Sequence, residues 1–167
     1  RARISLTIIG DGPERSRLEK LAAEIEVLDK HGESDGNVLF TGWLPQAQCA
    51  ERLSKSDVMV LPSLKECGGA VVLEAMAMGI PVIATAWGGP ADYLDPSCGI
   101  LVKPTSRETF IEGLSVAIVR LAHSPGQRRS MGGAGRRKVV QEFEGEAKSD
   151  RILQIYEQAV GSCRKAS

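Results

Sequence analysis

What the chain has little of narrows its reading first. Aromatic residues make up 4% of its 167 residues, and the histidines are only His31 and His123. The four cysteines, Cys49, Cys67, Cys98 and Cys163, are scattered and form no C-x-x-C pair. With so few soft ligands at such spacings, a zinc site is not expected and the metal set is read as none. Scattered cysteines read as reduced thiols, which points to a cytoplasmic protein. There is no charge of one sign in excess: 21 Lys and Arg stand against 21 Asp and Glu. A balanced chain is a poor partner for nucleic acid and has no strong pull toward an acidic membrane. No apolar run is long enough to span a bilayer. Arg1-Ala2-Arg3 opens no secretory signal pattern. No Ser-His-Asp set is evident, so triad chemistry is not offered. A hydrophobic content of 43% over this length suffices for a buried core and is most simply one domain.

What is present is organised around Pro62 to Thr85. Asp57-Val58-Met59-Val60-Leu61 is a short apolar run that reads as a buried strand, closed by Pro62 and Ser63. Gly68 and Gly69 open the backbone to close approach. Good helix formers follow from Gly69 to Met78, with Gly79 as the stop, and Ile80 to Ala84 reads as the next strand. The N–H groups at such a helix start carry a partial charge of ~0.5 e and suit a phosphate. Glu66 stands just before them and Glu74 about one and a half turns into the helix. A carboxylate cannot hold a phosphate, but it accepts hydrogen bonds from sugar hydroxyls. Amides for phosphate and acids for hydroxyls together fit a sugar nucleotide. The bland reading is a surface loop acid at Glu66 and a helix-dipole acid at Glu74.

The remaining chain alternates strand and helix. A strand over Ile4 to Ile9 leads through Gly10-Asp11-Gly12-Pro13 into a helix from about Glu14 to Leu28, with Leu18, Leu21, Ala22, Ile25 and Leu28 on one face. Gly10 and Gly12 lack the third glycine of a dinucleotide fingerprint, since Arg15 takes that place, so an NAD site is poorly supported. A short strand at Val38-Leu39-Phe40 precedes Trp43 and Leu44, which stand where ligands gather beyond strand ends. Trp43 reads equally as a nucleobase platform or as a packed lid. A helix over Gln46 to Lys55 turns Cys49 and Leu53 inward. A loop with at most one helical turn spans Ala86 to Leu94. A strand spans Cys98 to Val102, and Thr105 or Ser106 caps a helix from about Arg107 to Ala122. A helical region spans Gln127 to Phe143, its Arg128, Arg129, Arg136, Arg137 and Lys138 reading as a solvated face. A terminal helix runs from Glu146 to Val160, with Ile152, Ile155 and Tyr156 inward. The order implies α/β architecture, a single Rossmann-like doubly wound parallel sheet with helices on both faces.

Glu66-Cys67-Gly68-Gly69-Ala70-Val71-Val72-Leu73-Glu74 resembles the Glu-x7-Glu signature of retaining glycosyltransferases of family 4, also called group 1. The following Ala75-Met76-Ala77-Met78-Gly79-Ile80-Pro81-Val82 resembles that family too. One departure is that Cys67-Gly68-Gly69 replaces the frequent glycine–aromatic–glycine step. The resemblance implies the C-terminal, donor-binding lobe of a GT-B fold over residues 1–167, with the acceptor lobe and the first strand of this lobe lying outside the chain. It implies transfer of a sugar from a UDP-, GDP- or ADP-linked donor to an acceptor hydroxyl, with retention and no obligatory metal or cofactor. The acceptor, a sugar or lipid-linked glycan, would be held by the other lobe, and peripheral membrane attachment of the whole protein stays open. Glu66 would take hydroxyls of the donor sugar, Glu74 the ribose, and the amides of Gly68, Gly69, Ala70 and Val71 the diphosphate, with Cys67, Gly10, Gly12, Trp43 and Leu44 bordering the donor. Asp92 would stand where the family's Gly-Gly-x-x-Glu stretch has its acid, but it reads first as an ordinary acid at a helix start. By itself the chain would bind nucleotide weakly and transfer little. Two other readings stay open: a nucleotide-sugar 2-epimerase of related fold, and a binding or interaction domain without catalysis.

Overall fold

The computed structural model describes residues 4–29, 37–143 and 156. The chain divides into two compact units, Arg1–Lys55 and Ser56–Ser167.

The first unit contains β1 (Leu6–Ile9), α1 (Arg15–Glu24), β2 (Val38–Gly42) and α2 (Gln46–Ser54). β1 and β2 pair in parallel, Leu6 opposite Val38 and Ile8 opposite Phe40. Helix α1 stops four residues earlier than its apolar pattern suggests. Glu26 takes a left-handed φ of 57°. Val27 N–H then returns to the Ala22 carbonyl at 2.9 Å and Glu26 N–H to the Ala23 carbonyl at 3.1 Å, which satisfies the helix end without a glycine. Ala22 is the buried residue of α1, whereas Leu18, Leu21 and Ile25 are exposed. Two short strands are too small a surface to cover that stripe within the unit.

The second unit contains β3 (Met59–Leu61), α3 (Ala70–Ala77), β4 (Val82–Thr85), α4 (Gly89–Tyr93), β5 (Gly99–Val102), α5 (Arg107–Ala122) and α6 (Pro125–Lys138), then a π-helical turn over Val139–Phe143. Its sheet has the order β3-β4-β5, all parallel. The parallel strands are thus hydrogen-bonded as two sheets, one in each unit. All four residues of β4 are buried although they point alternately to opposite faces, so both faces are covered. Ile83, Val102, Phe110, Ala117, Leu121 and Met131 form the core on one side. Helix α3 buries Val72, Ala75 and Met76. It ends at Gly79, φ 74°, with Ile80 N–H on the Ala75 carbonyl. Ser106 is the residue that caps α5, in a reciprocal box with Thr109.

The basic residues of α6 divide by role, which corrects their reading as one solvated face. Arg128 donates to the Leu121 and Ala122 carbonyls at 2.6 and 3.1 Å, closing the end of α5, and pairs with Asp57 at 3.2 Å. Lys138 Nζ lies 2.7 Å from Asp95 Oδ2. Arg129, Arg136 and Arg137 remain exposed. Of the expected terminal helix, Ile152 and Ile155 lie outside the described residues, and Tyr156 is exposed rather than inward. Cys163 also lies outside them, whereas Cys49, Cys67 and Cys98 are free thiols.

Candidate functional site

The loop between β3 and α3 places Glu66 at the start of a helix whose first amides would otherwise lack partners. Oε1 of Glu66 accepts the N–H of Gly69 at 2.8 Å and that of Gly68 at 3.3 Å. The carboxylate is therefore turned toward the helix start by the chain itself. Gly69 makes this possible through its left-handed conformation, φ 61° and ψ 39°. Val72 N–H turns back to the Gly69 carbonyl at 2.8 Å. The intervening N–H groups of Ala70 and Val71 follow a helix start with no side-chain cap. Glu74 is exposed and lies one turn behind Ala70 on the same face of α3.

The loop is clamped from the other side by the segment after β4. Gly89 N–H donates to the Cys67 carbonyl at 3.2 Å. A Cβ on Gly89 would lie 2.1 Å from the Gly68 carbonyl oxygen, and one on Gly88 would lie 2.0 Å from that of Glu66. Pro90 packs on Gly69 in the same way. The paired glycines Gly88 and Gly89 permit close backbone approach. What approaches them is the Glu66 loop. Cys67 and Gly68 are exposed, and a Cβ on Gly68 would meet nothing. Asp92 is an exposed acid in the first turn of α4.

The other expected site residues belong to the first unit. Gly10 N–H donates to the Gly42 carbonyl at 2.9 Å, which brings the end of β1 beside the residue preceding Trp43. Trp43 is 76% exposed, so the packed-lid alternative does not hold within its unit. Leu44 is half-buried, with its carbonyl 3.5 Å from Cys49 Sγ. Gly12 is open, its N–H held by Asp11 Oδ1 at 2.8 Å. Arg15 is engaged by Glu19 at 2.7 Å and Asp11 at 3.4 Å, which raises its pKa, the Glu19 hydrogen bond contributing most. An open depression of about 360 Å³ lined by Gly133, Arg136, Arg137, Val140 and Gln141 shares no residue with the Glu66 loop. The candidate groups Glu66, Gly68, Gly69 and Glu74 lie on this loop and on the helix α3 that follows it.

Parallel strands flanked by helices are the architecture this chain shares with lobes of GT-B glycosyltransferases. The family named Glycosyl transferases group 1 matches residues 1–138, and the chain belongs to that family. It is 31% identical over 157 residues to the GDP-mannose-dependent monoacylated alpha-(1-6)-phosphatidylinositol monomannoside mannosyltransferase of Corynebacterium glutamicum, covering 90% of this chain and 38% of that protein. It is 33% identical over 153 residues to the lipopolysaccharide core biosynthesis glycosyltransferase LpsE of Rhizobium meliloti, covering 91% of this chain and 41% of that protein. Sucrose-phosphate synthase from Thermosynechococcus elongatus superposes with a TM-score of 0.73 at 33% identity, over 95% of this chain and 39% of the other. The chain thus spans well under half the length of these relatives.

Proposed function

We propose that this chain is the donor-binding lobe of a retaining glycosyltransferase that moves a sugar from a nucleoside-diphosphate carrier to an acceptor hydroxyl. The observation that carries the reading is the Glu66 carboxylate, anchored through Oε1 by Gly68 and Gly69 so that Oε2 is free for a sugar hydroxyl. Two amides of the expected anion site are therefore used to orient the acid. Those of Ala70 and Val71 are left for the diphosphate. Glu74, one turn behind Ala70, takes ribose hydroxyls. In the transfer, the acceptor oxygen bonds to the anomeric carbon as the bond from that carbon to the diphosphate oxygen breaks. The electron pair leaves with the diphosphate, which also receives the acceptor's proton. The amides at the helix start stabilise the charge that grows there. The donor's nucleoside is uridine, guanosine or adenosine; the first relative's name specifies GDP-mannose. The acceptor is a sugar or a lipid-linked glycan held outside this chain, and the family resemblance assigns no metal to the step.

The test uses the complete protein with UDP-, GDP- and ADP-linked sugars and candidate acceptors, and follows diphosphate release and product anomer. Glu66→Ala should lower kcat by about a hundredfold or more, the range for loss of one transition-state group. Glu74→Ala should raise the donor KM. Full activity of Glu66→Ala would overturn the assignment. Acceptor-free formation of a 2-epimer would replace transfer by epimerisation.

A further inference from the structure

Trp87 is a large apolar side chain left 56% exposed between the buried strand β4 and the buried Gly89–Pro90 step. Val82 to Thr85 before it and Gly89 and Pro90 after it are all buried. Its backbone is held on both sides. Its own N–H donates to the Thr85 carbonyl at 2.8 Å. The next residue, Gly88, is wedged against the Glu66 carbonyl, where a Cβ would stand 2.0 Å from the oxygen. The indole is thus mounted on a rigid stem one residue from the contact with the Glu66 loop. Leu64, within the same β3–α3 loop, is 58% exposed.

We infer that Trp87 is a specificity-determining residue whose indole stacks on the C–H face of a pyranose held at the Glu66 loop. This inference rests on the proposed function. A pyranose has a polar edge of hydroxyls and flatter faces rich in C–H groups. A carboxylate suits the edge, and an electron-rich aromatic plane suits the face. Recognition of one small polar ring by a few fixed polar atoms and an apolar wall is how such sites combine affinity with orientation. Glu66 supplies the first element and Trp87 the second. The ring concerned is the donor's or the acceptor's, and binding measurements separate these.

The experiment compares the complete wild-type protein with Trp87→Ala and Trp87→Phe. Affinities are measured for UDP, UDP-glucose, GDP and GDP-mannose, and KM values for the acceptor used in the transfer assay. With a donor ring on the indole, Trp87→Ala weakens the sugar nucleotide about tenfold relative to its free diphosphate, and Trp87→Phe restores most of the loss. With an acceptor ring, donor affinity holds and the acceptor KM rises by about the same factor, again restored by Phe. Equal weakening of diphosphate and sugar nucleotide, or no change in any of these quantities, overturns the inference. A wild-type protein that binds no nucleotide and transfers nothing sinks the proposed function instead, whereas a binding-competent wild type matched by Trp87→Ala sinks the Trp87 role alone.

Discussion

Gly88 and Glu66 meet backbone to backbone: a Cβ on Gly88 would sit 2.0 Å from the Glu66 carbonyl oxygen. Gly88 also adopts φ 59° and ψ −151°, a region open essentially only to glycine. Steric exclusion and backbone strain therefore act at one position. Gly88→Ala should destabilise the protein by about 2–4 kcal/mol, from strain of 1–3 kcal/mol together with overpacking. Any protein that folds should have lost activity, because the loop that aims Glu66 must move. Gly68→Ala is the control, since a Cβ there meets nothing within 4 Å. Its melting temperature should stay close to that of the wild type. Equal tolerance of both substitutions in thermal melts would contradict the clamp.

Much of this loop was legible because its chemistry is local. Gly79 ends α3 where expected, and Ser106 was one of two expected caps for α5. The acids Glu66 and Glu74 are singled out by their spacing around a glycine step together with the family resemblance of the residues that follow. What escaped depends on partners distant in sequence or on an unusual residue at a familiar place. The anchoring of Glu66 by its own Gly68 and Gly69 amides could not be separated from an amide site left empty for a ligand. Glu26 occupies a left-handed helix stop that glycine usually marks, so the apolar pattern of α1 ran past the true end. Arg128 and Lys138 sit among other basic residues that are solvated, and nothing local distinguishes them. Their carbonyl and carboxylate partners are supplied by tertiary packing.

The Asp95–Lys138 pair gives a pH-dependent signature. The Lys138 hydrogen bond, helped by the hydroxyl and N–H of Ser97, holds the Asp95 carboxyl well below the usual carboxylate range. Asp95 in turn raises the pKa of Lys138. A depressed folded-state pKa stabilises the fold above the unfolded value of about 3.9, and the benefit is lost as pH falls through the folded value. For Lys138 the sign reverses: its contribution is present below about 10.4 and is lost as pH rises through the folded value. The Asp95 side chain is 42% exposed, so solvent screening limits the effect. Asp95→Asn should cost about 0.5–1 kcal/mol at neutral pH. In urea titrations the gap from wild type should narrow once the pH drops below about 4. A gap that stays constant from neutral to acidic pH would rule out this ion pair as its source.

Two adjacent glycines of α6 should respond in opposite directions. Replacing glycine by alanine inside a helix usually stabilises by about 1 kcal/mol. At Gly133 a Cβ would meet only the Arg137 guanidinium, at 3.5 Å, so Gly133→Ala should keep that gain. At Gly132 the Cβ would fall 1.9 Å from the Gly79 carbonyl oxygen and 2.7 Å from its carbon, atoms of a backbone fixed at the end of α3. Gly132→Ala should therefore lose about 1–3 kcal/mol despite the better helix propensity, as overpacking outweighs it. Because α3 carries Glu74 and begins at the Glu66 loop, the Gly132 variant should also weaken nucleotide binding, while Gly133→Ala leaves it unchanged. Chemical denaturation of both variants, with nucleotide titrations of each, decides the matter. A stabilised Gly132→Ala would mean that α6 does not pack on α3 as closely as the Gly79 contact requires.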